Sequence, residues 1–308
     1  MPPLTPAALR FKLSRRSFLL LGGAAFTTAF SMTKTVIAQT NAPVQTTQRS
    51  LRGIAFYQTC VDLSHPQTLV TIALANNALQ ANSTERTYGD EPFPQMVRRL
   101  QAAVVANGTF FNTAAAHREV MGNMIAGGRF LRYRAWERRG TTLSLRQNNQ
   151  PEMITPNLEE RSREWSQYWF SITCGPRLVT NGRVSVTAES VRAEGFTTAH
   201  LVNPQTPAAR SAVGFSQDGK QLLMVTFIDS VSLQRAAEVM RDIGASQAMN
   251  LDGGASVALA NRGSVLYPTG RNLTNVIAVY DTTNAAPAAL QDAWRQFQQS
   301  ELRPELPR

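Results

Sequence analysis

A single acid stands between two short apolar runs in the stretch AMNLDGGASVAL, residues 248–259. Asp252 precedes Gly253 and Gly254, and Asp-Gly between apolar runs is a common signal for a tight β-hairpin. The same pattern suits an active site, where a carboxylate acts as base or nucleophile and glycines let the backbone approach a ligand closely. The local pattern alone is compatible with both interpretations.

A serine hydrolase is a third interpretation, because residues 254–258 form a relaxed nucleophile elbow around Ser256. Chain order argues against it. The three histidines, His65, His117 and His200, all precede Ser256, whereas that fold places its histidine after the serine.

The elements around Asp252 favour an active site over a simple turn. Helical spacing of apolar residues predicts a helix from Ser232 to Gly244, between strands predicted at 222–228 and 247–251. Further strands are predicted at 53–63, 68–75, 102–106, 141–145, 169–173 and 275–280. Asp252 therefore follows the second strand of a β-α-β unit, where ligand sites often lie. The whole pattern predicts an α+β protein with one large mixed, twisted β-sheet and packed helices.

Residues 1–38 have the features of an export signal. Arg15 and Arg16 precede Ser-Phe-Leu and an apolar run that ends near Phe30, and a small residue closes the segment at Ala38. The paired arginines resemble the twin-arginine signature. About a dozen apolar residues are too few to span a bilayer, which takes ~20. We expect the twin-arginine machinery to export the chain, the signal to be cleaved, and the mature protein to be periplasmic or extracellular.

Domain boundaries follow from composition. We predict a polar linker at 39–50, a single catalytic domain at 51–283, and a C-terminal helix and tail at 284–308 that lie outside the core.

The net charge excludes few classes of partner once the signal is removed. Residues 1–38 hold five basic residues and no acid, so the formal charge of +10 falls by five to +5. The stretches 132–134 and 137–139 are rich in arginine, and we interpret them as a solvated face, with binding of an anionic polymer as the alternative. No nucleic-acid-binding motif is present, so nucleic acid is not an expected partner.

Two cysteines and three histidines leave the metal and redox questions open. Cys60 and Cys174 are equally compatible with a disulfide, which persists in an oxidising compartment, and with two isolated thiols. The histidines lack zinc-site spacing, and calcium would need oxygen ligands that no spaced cluster supplies. We expect no cofactor, and we keep calcium as an open alternative, because aspartate and backbone carbonyls can bind a hard cation.

Five other segments end an apolar run with glycine, asparagine or arginine, and together they carry a resemblance. The segments are residues 104–111, 121–124, 174–182, 209–214 and 270–273. Taken in order with residues 250–256, they resemble the phosphodiester glycosidase family from about residue 100 to 280. Two positions depart from the family pattern: Thr109 replaces the usual second glycine of the first block, and Ala255 stands where a third glycine is common.

The resemblance implies cleavage between an anomeric carbon and a phosphate oxygen. The expected substrate is a sugar phosphate or an envelope glycan. Glycoside cleavage normally uses two carboxyl groups. Phosphate is a good leaving group, so arginines that take up its charge reduce the need for an acid. No second carboxylate is identified among Asp90, Glu119, Glu194 and Asp229.

On this basis the polar side chains and glycines in these segments receive expected roles. We expect Asp252 to be the base or nucleophile, held by Gly253 and Gly254, and Arg210 and Arg271 to grip phosphate. The expected sugar-binding and supporting residues are Asn107, Asn123, Ser211 and Ser256. The alternative keeps the fold but drops the reaction: a carbohydrate-binding envelope protein whose same residues hold an anionic glycan without turnover.

Overall fold

The computed structural model describes residues 42–81, 89–114, 118–158 and 164–306. The expected signal peptide and His117 lie outside these residues, as does the side chain of His200. The strands are β1 (Val44–Leu51), β2 (Ile54–Asp62), β3 (Leu69–Leu74), β4 (Val104–Asn107), β5 (Met124–Ala126), β6 (Arg129–Arg132), β7 (Thr141–Arg146), β8 (Pro151–Ile154), β9 (Tyr168–Cys174), β10 (Arg177–Thr180), β11 (Arg183–Val184), β12 (Ser211–Ser216), β13 (Gln221–Phe227), β14 (Ala245–Asn250), β15 (Leu259–Asn261), β16 (Ser264–Tyr267) and β17 (Asn275–Tyr280). The helices are α1 (Phe93–Leu100), α2 (Ala188–Ala193), α3 (Ala199–Val202), α4 (Leu233–Asp242) and α5 (Ala288–Gln298).

The strands form three sheets. A seven-stranded sheet has the order β1-β2-β13-β12-β14-β10-β11, and two five-stranded sheets have the orders β16-β15-β4-β17-β3 and β6-β5-β9-β7-β8. The α+β class with helices packed on sheets is confirmed. The strand content that we expected in one large sheet is divided among these three.

Alternation along β13 shows how the seven-stranded sheet separates two cores. Leu222 and Met224 face a large core shared with the two smaller sheets. Leu223, Val225 and Phe227 face a second core that contains the apolar side of α4. Because side chains of a strand point to opposite faces in turn, this one run supplies both cores.

The predicted helix between β13 and β14 is present as α4. Its amino end is capped by the Ser232 hydroxyl, which accepts a hydrogen bond from the Arg235 amide at 3.2 Å. Leu233, Ala236 and Met240 are buried in the second core. Strand β12 lies between β13 and β14 and pairs antiparallel with both, so β13 and β14 run in the same direction. Asp252 therefore follows the carboxyl end of β14, as the sequence indicated.

Two expectations about the ends of the domain were wrong. Residues 44–51 are strand β1, which pairs with β2 along its whole length, so order begins well before Leu51. The C-terminal helix does not stay outside the core. Phe297 is fully buried, and the ring of Trp294 lies 4.9 Å from that of Trp169. Backbone pairing with β2 therefore holds the first end on the fold, and apolar burial holds the second.

Gly214 lies where strand β12 packs tightly against β14 in the seven-stranded sheet. A Cβ atom at Gly214 of β12 would lie 2.3 Å from the backbone oxygen of Gln247 in β14. We expect Gly214→Ala to lower the free energy of unfolding by about 1–3 kcal/mol, because a ladder between buried strands cannot shift cheaply. Urea denaturation checks this. Gly89→Ala is the matched control, since its Cβ would meet only Arg118 Cγ at 3.7 Å; equal midpoints for the two variants would contradict the expectation.

Candidate active site

All three sheets contribute to the surroundings of Asp252. The carboxyl ends of β14, β4 and β9, at Asn250, Asn107 and Cys174, lie close together, and β12 and β17 begin beside them. The Gly175 amide donates to Asn250 O at 2.9 Å, and the Asp252 amide donates to Gly108 O at 3.1 Å. The segments that the sequence singled out are therefore joined by backbone hydrogen bonds at one place.

Asn107 holds the backbone at Asp252 and again at Ala258. Its Nδ2 donates to Asp252 O at 2.8 Å, and its Oδ1 accepts from the Ala258 amide at 3.1 Å and from Ser211 Oγ at 3.0 Å. Asn107 and Ser211 are both buried. The two side chains form a supporting layer behind the acid rather than a wall of its cavity.

Thr109 connects two of the sheets at the same place. Its hydroxyl donates to Thr173 O of β9 at 2.5 Å, and its amide donates to Asn275 Oδ1 of β17 at 2.8 Å. The departure from the family's usual glycine thus adds a hydroxyl that ties the Asn107 turn to β9. Ala255 places its Cβ 3.2 Å from the point where a Cβ on Gly270 would lie.

A cavity of about 430 Å³ opens over Asp252. Its described lining includes Asp252, Gly253, Gly254, Arg210 and Arg271, with Phe110, Phe111 and Phe196 among the apolar residues. The volume lies in the range of small-ligand sites. Of the described residues that line it, Asp252 is the only carboxylate.

Burial sets the protonation behaviour of Asp252. The side chain is 6% exposed, and loss of hydration raises its pKa above the ordinary value. Ser256, the Arg271 charge and the Gly253 amide oppose this effect but do not cancel it. The Gly253 amide donates to Asp252 Oδ1 at 2.9 Å. A carboxylate with a raised pKa and an open cavity in front of it is suited to accept a proton or attack an electrophile.

Arg271 lies between the acid and the aromatic wall. Its Nε donates to Ser256 Oγ at 2.7 Å, one terminal nitrogen lies 3.5 Å from Asp252 Oδ2, and the guanidinium carbon is 4.9 Å from the Phe111 ring centroid. The distance to the acid is long for an ion pair, and the side chain is 36% exposed. Arg271 therefore keeps donor capacity toward the cavity.

Arg210 brings a second positive charge to the cavity from a buried position. Its Nε donates to Val231 O at 2.9 Å and a terminal nitrogen donates to Thr206 O at 3.1 Å. Burial lowers the pKa of Arg210 to about 10, so the guanidinium stays charged at neutral pH. Arg210 and Arg271 thus place two positive groups in the lining of the cavity that contains the acid.

The glycines after Asp252 bring the backbone close to its neighbours. A Cβ atom on Gly253 would lie 2.8 Å from Ala209 O, and the Gly254 amide donates to that same oxygen at 2.9 Å. Gly254 has a φ of +59°, a left-handed conformation that glycine adopts without strain. A larger residue at Gly253 would meet Ala209 O and displace the loop that carries the acid, whereas at Gly254 it would strain the backbone.

The predicted site residues divide into three groups by position. Those on the cavity wall are Asp252, Gly253, Gly254, Arg210 and Arg271. Those in the supporting layer are Asn107, Ser211 and Ser256. Asn123 lies apart, on a cavity of about 170 Å³, where its Oδ1 accepts from the Arg134 amide and its Nδ2 donates to Arg134 O. The assigned roles stay predictions.

The sequence analysis did not single out Asn250 as a site residue. It lines the cavity two residues before Asp252, and its buried Oδ1 has no hydrogen-bond partner among the described residues. Its Nδ2 donates to Gly175 O at 3.2 Å. The period of two along a strand was an available signal, since it places Asn250 and Asp252 on one face.

The four acids considered as a second carboxylate are all engaged elsewhere. Asp90 pairs with Arg118, and Glu119 pairs with Arg134. Asp229 accepts from the Ala55 amide. Glu194 is buried and accepts from the Arg177 amide and Thr141 Oγ1, and burial raises its pKa to about 7. None of the four is among the described residues that line the Asp252 cavity.

Both cysteines are free thiols. Cys60 lies on β2, whereas Cys174 is buried at the end of β9. Burial raises the pKa of Cys174 to about 12, and the nearby charge of Asp252 acts in the same direction. The thiol is therefore neutral and unsuited to be a nucleophile.

Within the described ranges no cluster of three or more His, Cys, Asp or Glu side chains is arranged to hold a metal ion. In the same part of the chain, no helix is both long and apolar enough to cross a membrane.

Comparison with known proteins places this arrangement in a family. The family model described as phosphodiester glycosidase matches residues 100–280, which is more than half of the chain. This chain belongs to the phosphodiester glycosidase family. Membership supports a glycosidase-type function. No curated protein matched the sequence.

Solved structures with the same fold come from distant relatives. The catalytic domain of zebrafish N-acetylglucosamine-1-phosphodiester alpha-N-acetylglucosaminidase, auto-inhibited by its pro-peptide, has a TM-score of 0.58 at 17% identity and covers 78% of this chain and 82% of its own. A hypothetical protein from Synechocystis has a TM-score of 0.52 at 19% identity, with coverage of 77% and 61%. A Burkholderia pseudomallei protein, provisionally described as exported, has a TM-score of 0.51 at 15% identity and covers 74% of each chain. These identities establish the fold alone.

The raised pKa of Asp252 predicts that the ionised acid costs stability. Because the folded protein binds this proton more tightly than the unfolded chain, stability falls as pH rises from the ordinary aspartate pKa through the raised one. We expect Asp252→Asn to be more stable than the wild type at pH 7, with a difference that shrinks below about pH 4. Thermal or urea unfolding at both pH values measures it.

Asp281→Asn is the control with the opposite sign. Burial opposes ionisation of Asp281, but its bonds from Arg262 and from the backbone amides of Asn284 and Thr283 prevail and lower its pKa. This substitution should destabilise the protein at pH 7, and its effect should vanish at low pH. A loss of stability at pH 7 in Asp252→Asn would show that the acid is a structural ion-pair partner instead.

Proposed function

We propose that this chain is an exported hydrolase that cleaves the bond between a sugar's anomeric carbon and phosphate in a sugar-1-phosphodiester of an envelope glycan. One observation carries the proposal. The buried carboxylate of Asp252 and the guanidinium groups of Arg210 and Arg271 line a single cavity of ligand size, with Arg139 at its border and no other carboxylate in its described lining. Membership of the phosphodiester glycosidase family supports the same reaction class.

Asp252 is the group that acts at the anomeric carbon. As a base, it takes a proton from water while the water oxygen bonds to the anomeric carbon. As a nucleophile, it forms a glycosyl ester that water then hydrolyses. In both routes the anomeric carbon–oxygen bond breaks, its electron pair leaves with the phosphate, and the products are a free sugar and a phosphomonoester.

Arg210 and Arg271 stabilise the departing phosphate. Negative charge grows on phosphate as the bond breaks, and preorganised guanidinium groups interact more strongly with that charge than with the intact diester. A leaving group stabilised in this way needs no carboxylic acid to protonate it. The absence of a second carboxylate from the described lining fits this scheme.

The first sugar to test follows from the zebrafish relative, whose name specifies N-acetylglucosamine-1-phosphodiester. We propose the same donor class for this chain, with the sugar itself open to comparison. Phe110, Phe111 and Phe196 provide an apolar wall against which a sugar ring can pack.

Sugar release is the direct test. We expect the purified mature protein to liberate free sugar from at least one member of a panel of sugar-1-phosphodiesters that begins with N-acetylglucosamine. Asp252→Asn should lower kcat by about 10³-fold or more, as expected for loss of a base or nucleophile. Asp242→Asn, a carboxylate on α4 paired with Arg52 and Arg241, is the matched control and should keep wild-type activity.

The outcomes separate the reaction from simple binding. Turnover that survives in Asp252→Asn would remove the acid from the mechanism. A folded wild-type protein that binds the same compounds but releases no sugar would instead identify a carbohydrate-binding protein.

Export is proposed on the paired arginines of the leader. A reporter fused to residues 1–45 should leave the cytoplasm, and Arg15→Lys combined with Arg16→Lys should abolish this, because the twin-arginine route depends on that pair. Arg10→Lys is the control and should have no effect. Fractionation of cells that carry each fusion gives the answer; continued export of the double-lysine fusion would overturn the assignment to this route.

A further inference from the structure

A second cavity of about 550 Å³ adjoins the one over Asp252. The two share four described lining residues: Phe110, Phe111, Met121 and Arg139. A ligand that fills the first cavity can therefore extend past Phe111 into the second. Each volume is within the range of small-ligand sites, so together they exceed what one sugar phosphate requires.

The second cavity has an excess of positive charge. Four arginines line it, and two of them are neutralised by acids from the same lining: Arg134 pairs with Glu119 at 2.9 Å, and Arg132 pairs with Glu137. The remaining two are adjacent in sequence, Arg138 and Arg139. We call this surface the arginine cleft and define it by Arg132, Arg134, Trp136, Arg138 and Arg139.

Arg139 occupies the central position. It is exposed, it borders both cavities, and it has neither an ion pair nor a hydrogen bond among the described residues. Arg138 is partly engaged, since one terminal nitrogen donates to Pro156 O at 2.5 Å. An unengaged guanidinium next to a ligand cavity offers the planar donor fork that suits phosphate.

Trp136 adds an aromatic surface to the same cleft. Its side chain is 72% exposed, and the guanidinium carbon of Arg134 lies 5.6 Å from its ring centroid. Tryptophan is enriched at binding interfaces, because it combines a large apolar ring with a polar N–H group. A flat indole flanked by arginines is suited to a sugar ring that carries an anionic group.

We propose that the arginine cleft binds a second phosphate of an extended anionic glycan, with Arg139 as the residue that determines this specificity. The inference rests on the proposed function, because it places the second phosphate on the continuation of the substrate whose reacting phosphate lies near Arg210 and Arg271. Sequence alone favoured a solvated face for residues 132–134 and 137–139. Their position beside the Asp252 cavity favours the anionic-polymer alternative.

Two synthetic probes test the proposal. The short probe is the methyl phosphodiester of N-acetylglucosamine-1-phosphate. The extended probe replaces methyl by a second sugar that bears a phosphomonoester. We expect wild-type kcat/KM to be about tenfold higher for the extended probe, as one charge-assisted contact provides. Arg139→Gln should remove this preference and leave kcat/KM for the short probe within about twofold. High salt should weaken the preference, because exposed charges are screened.

Controls separate the cleft from the reaction. Arg183→Gln, an exposed arginine of β11, should keep the preference. Calorimetric titration of Asp252→Asn, with and without Arg139→Gln, measures probe binding independently of turnover. If the wild type cleaves neither probe, the proposed function fails, and the titrations alone judge the cleft. Cleavage of both probes at equal rates, or a preference that survives Arg139→Gln, would overturn the specificity assigned to Arg139.

Discussion

The three hydrogen bonds of Asn107 are the constraint on which the site depends. They fasten the carboxyl end of β4 to Asp252 O, to the Ala258 amide and to Ser211 Oγ, which joins two sheets around one acid. A buried amide with all these partners satisfied is rigid, because every alternative rotamer leaves a polar group without a bond. The position of Asp252 is therefore determined by residues far away in the chain, and its own loop of glycines needs no stiffness.

That rigidity explains how the protein tolerates an unfavourable acid. Burial raises the pKa of Asp252, so its charged form opposes folding. The surrounding hydrogen bonds hold the loop in place against this cost. Arg271 lies 3.5 Å from the acid, close enough to reduce part of the energetic cost of its ionised form. Sites that keep a group in an environment it does not favour commonly reserve that group for chemistry.

Much of the fold was predictable because local signals agreed with it. The alternation in β13 and the serine cap of α4 each determine an element from within a few residues. Strand β1 was missed because it is polar and mostly exposed, and only its pairing with β2 makes it a strand. In the site, the position of Asp252 after the second strand of a β-α-β unit led to its prediction, and the structure places it on a cavity wall. We predicted that Asn107 binds a sugar, but in the structure its side chain bonds to Asp252 O, 145 positions away. No local sequence pattern contains such a contact. Arg139 is likewise recognisable only when Phe110 and Phe111 fold beside it.

The excess of guanidinium groups over carboxylates in the Asp252 cavity follows from electrostatics under the proposed reaction. A phosphodiester that enters the cavity brings a negative charge toward an acid that burial already disfavours in its ionised form. A second carboxylate would add repulsion in a region of low dielectric, where charges interact strongly. Arg271 instead offsets part of the charge of the acid before substrate arrives. In this reaction Arg210 and Arg271 together balance phosphate as its charge grows. The same reasoning extends to the arginine cleft, where every further phosphate of a longer glycan requires a positive partner of its own, and Arg139 is placed to supply the next one.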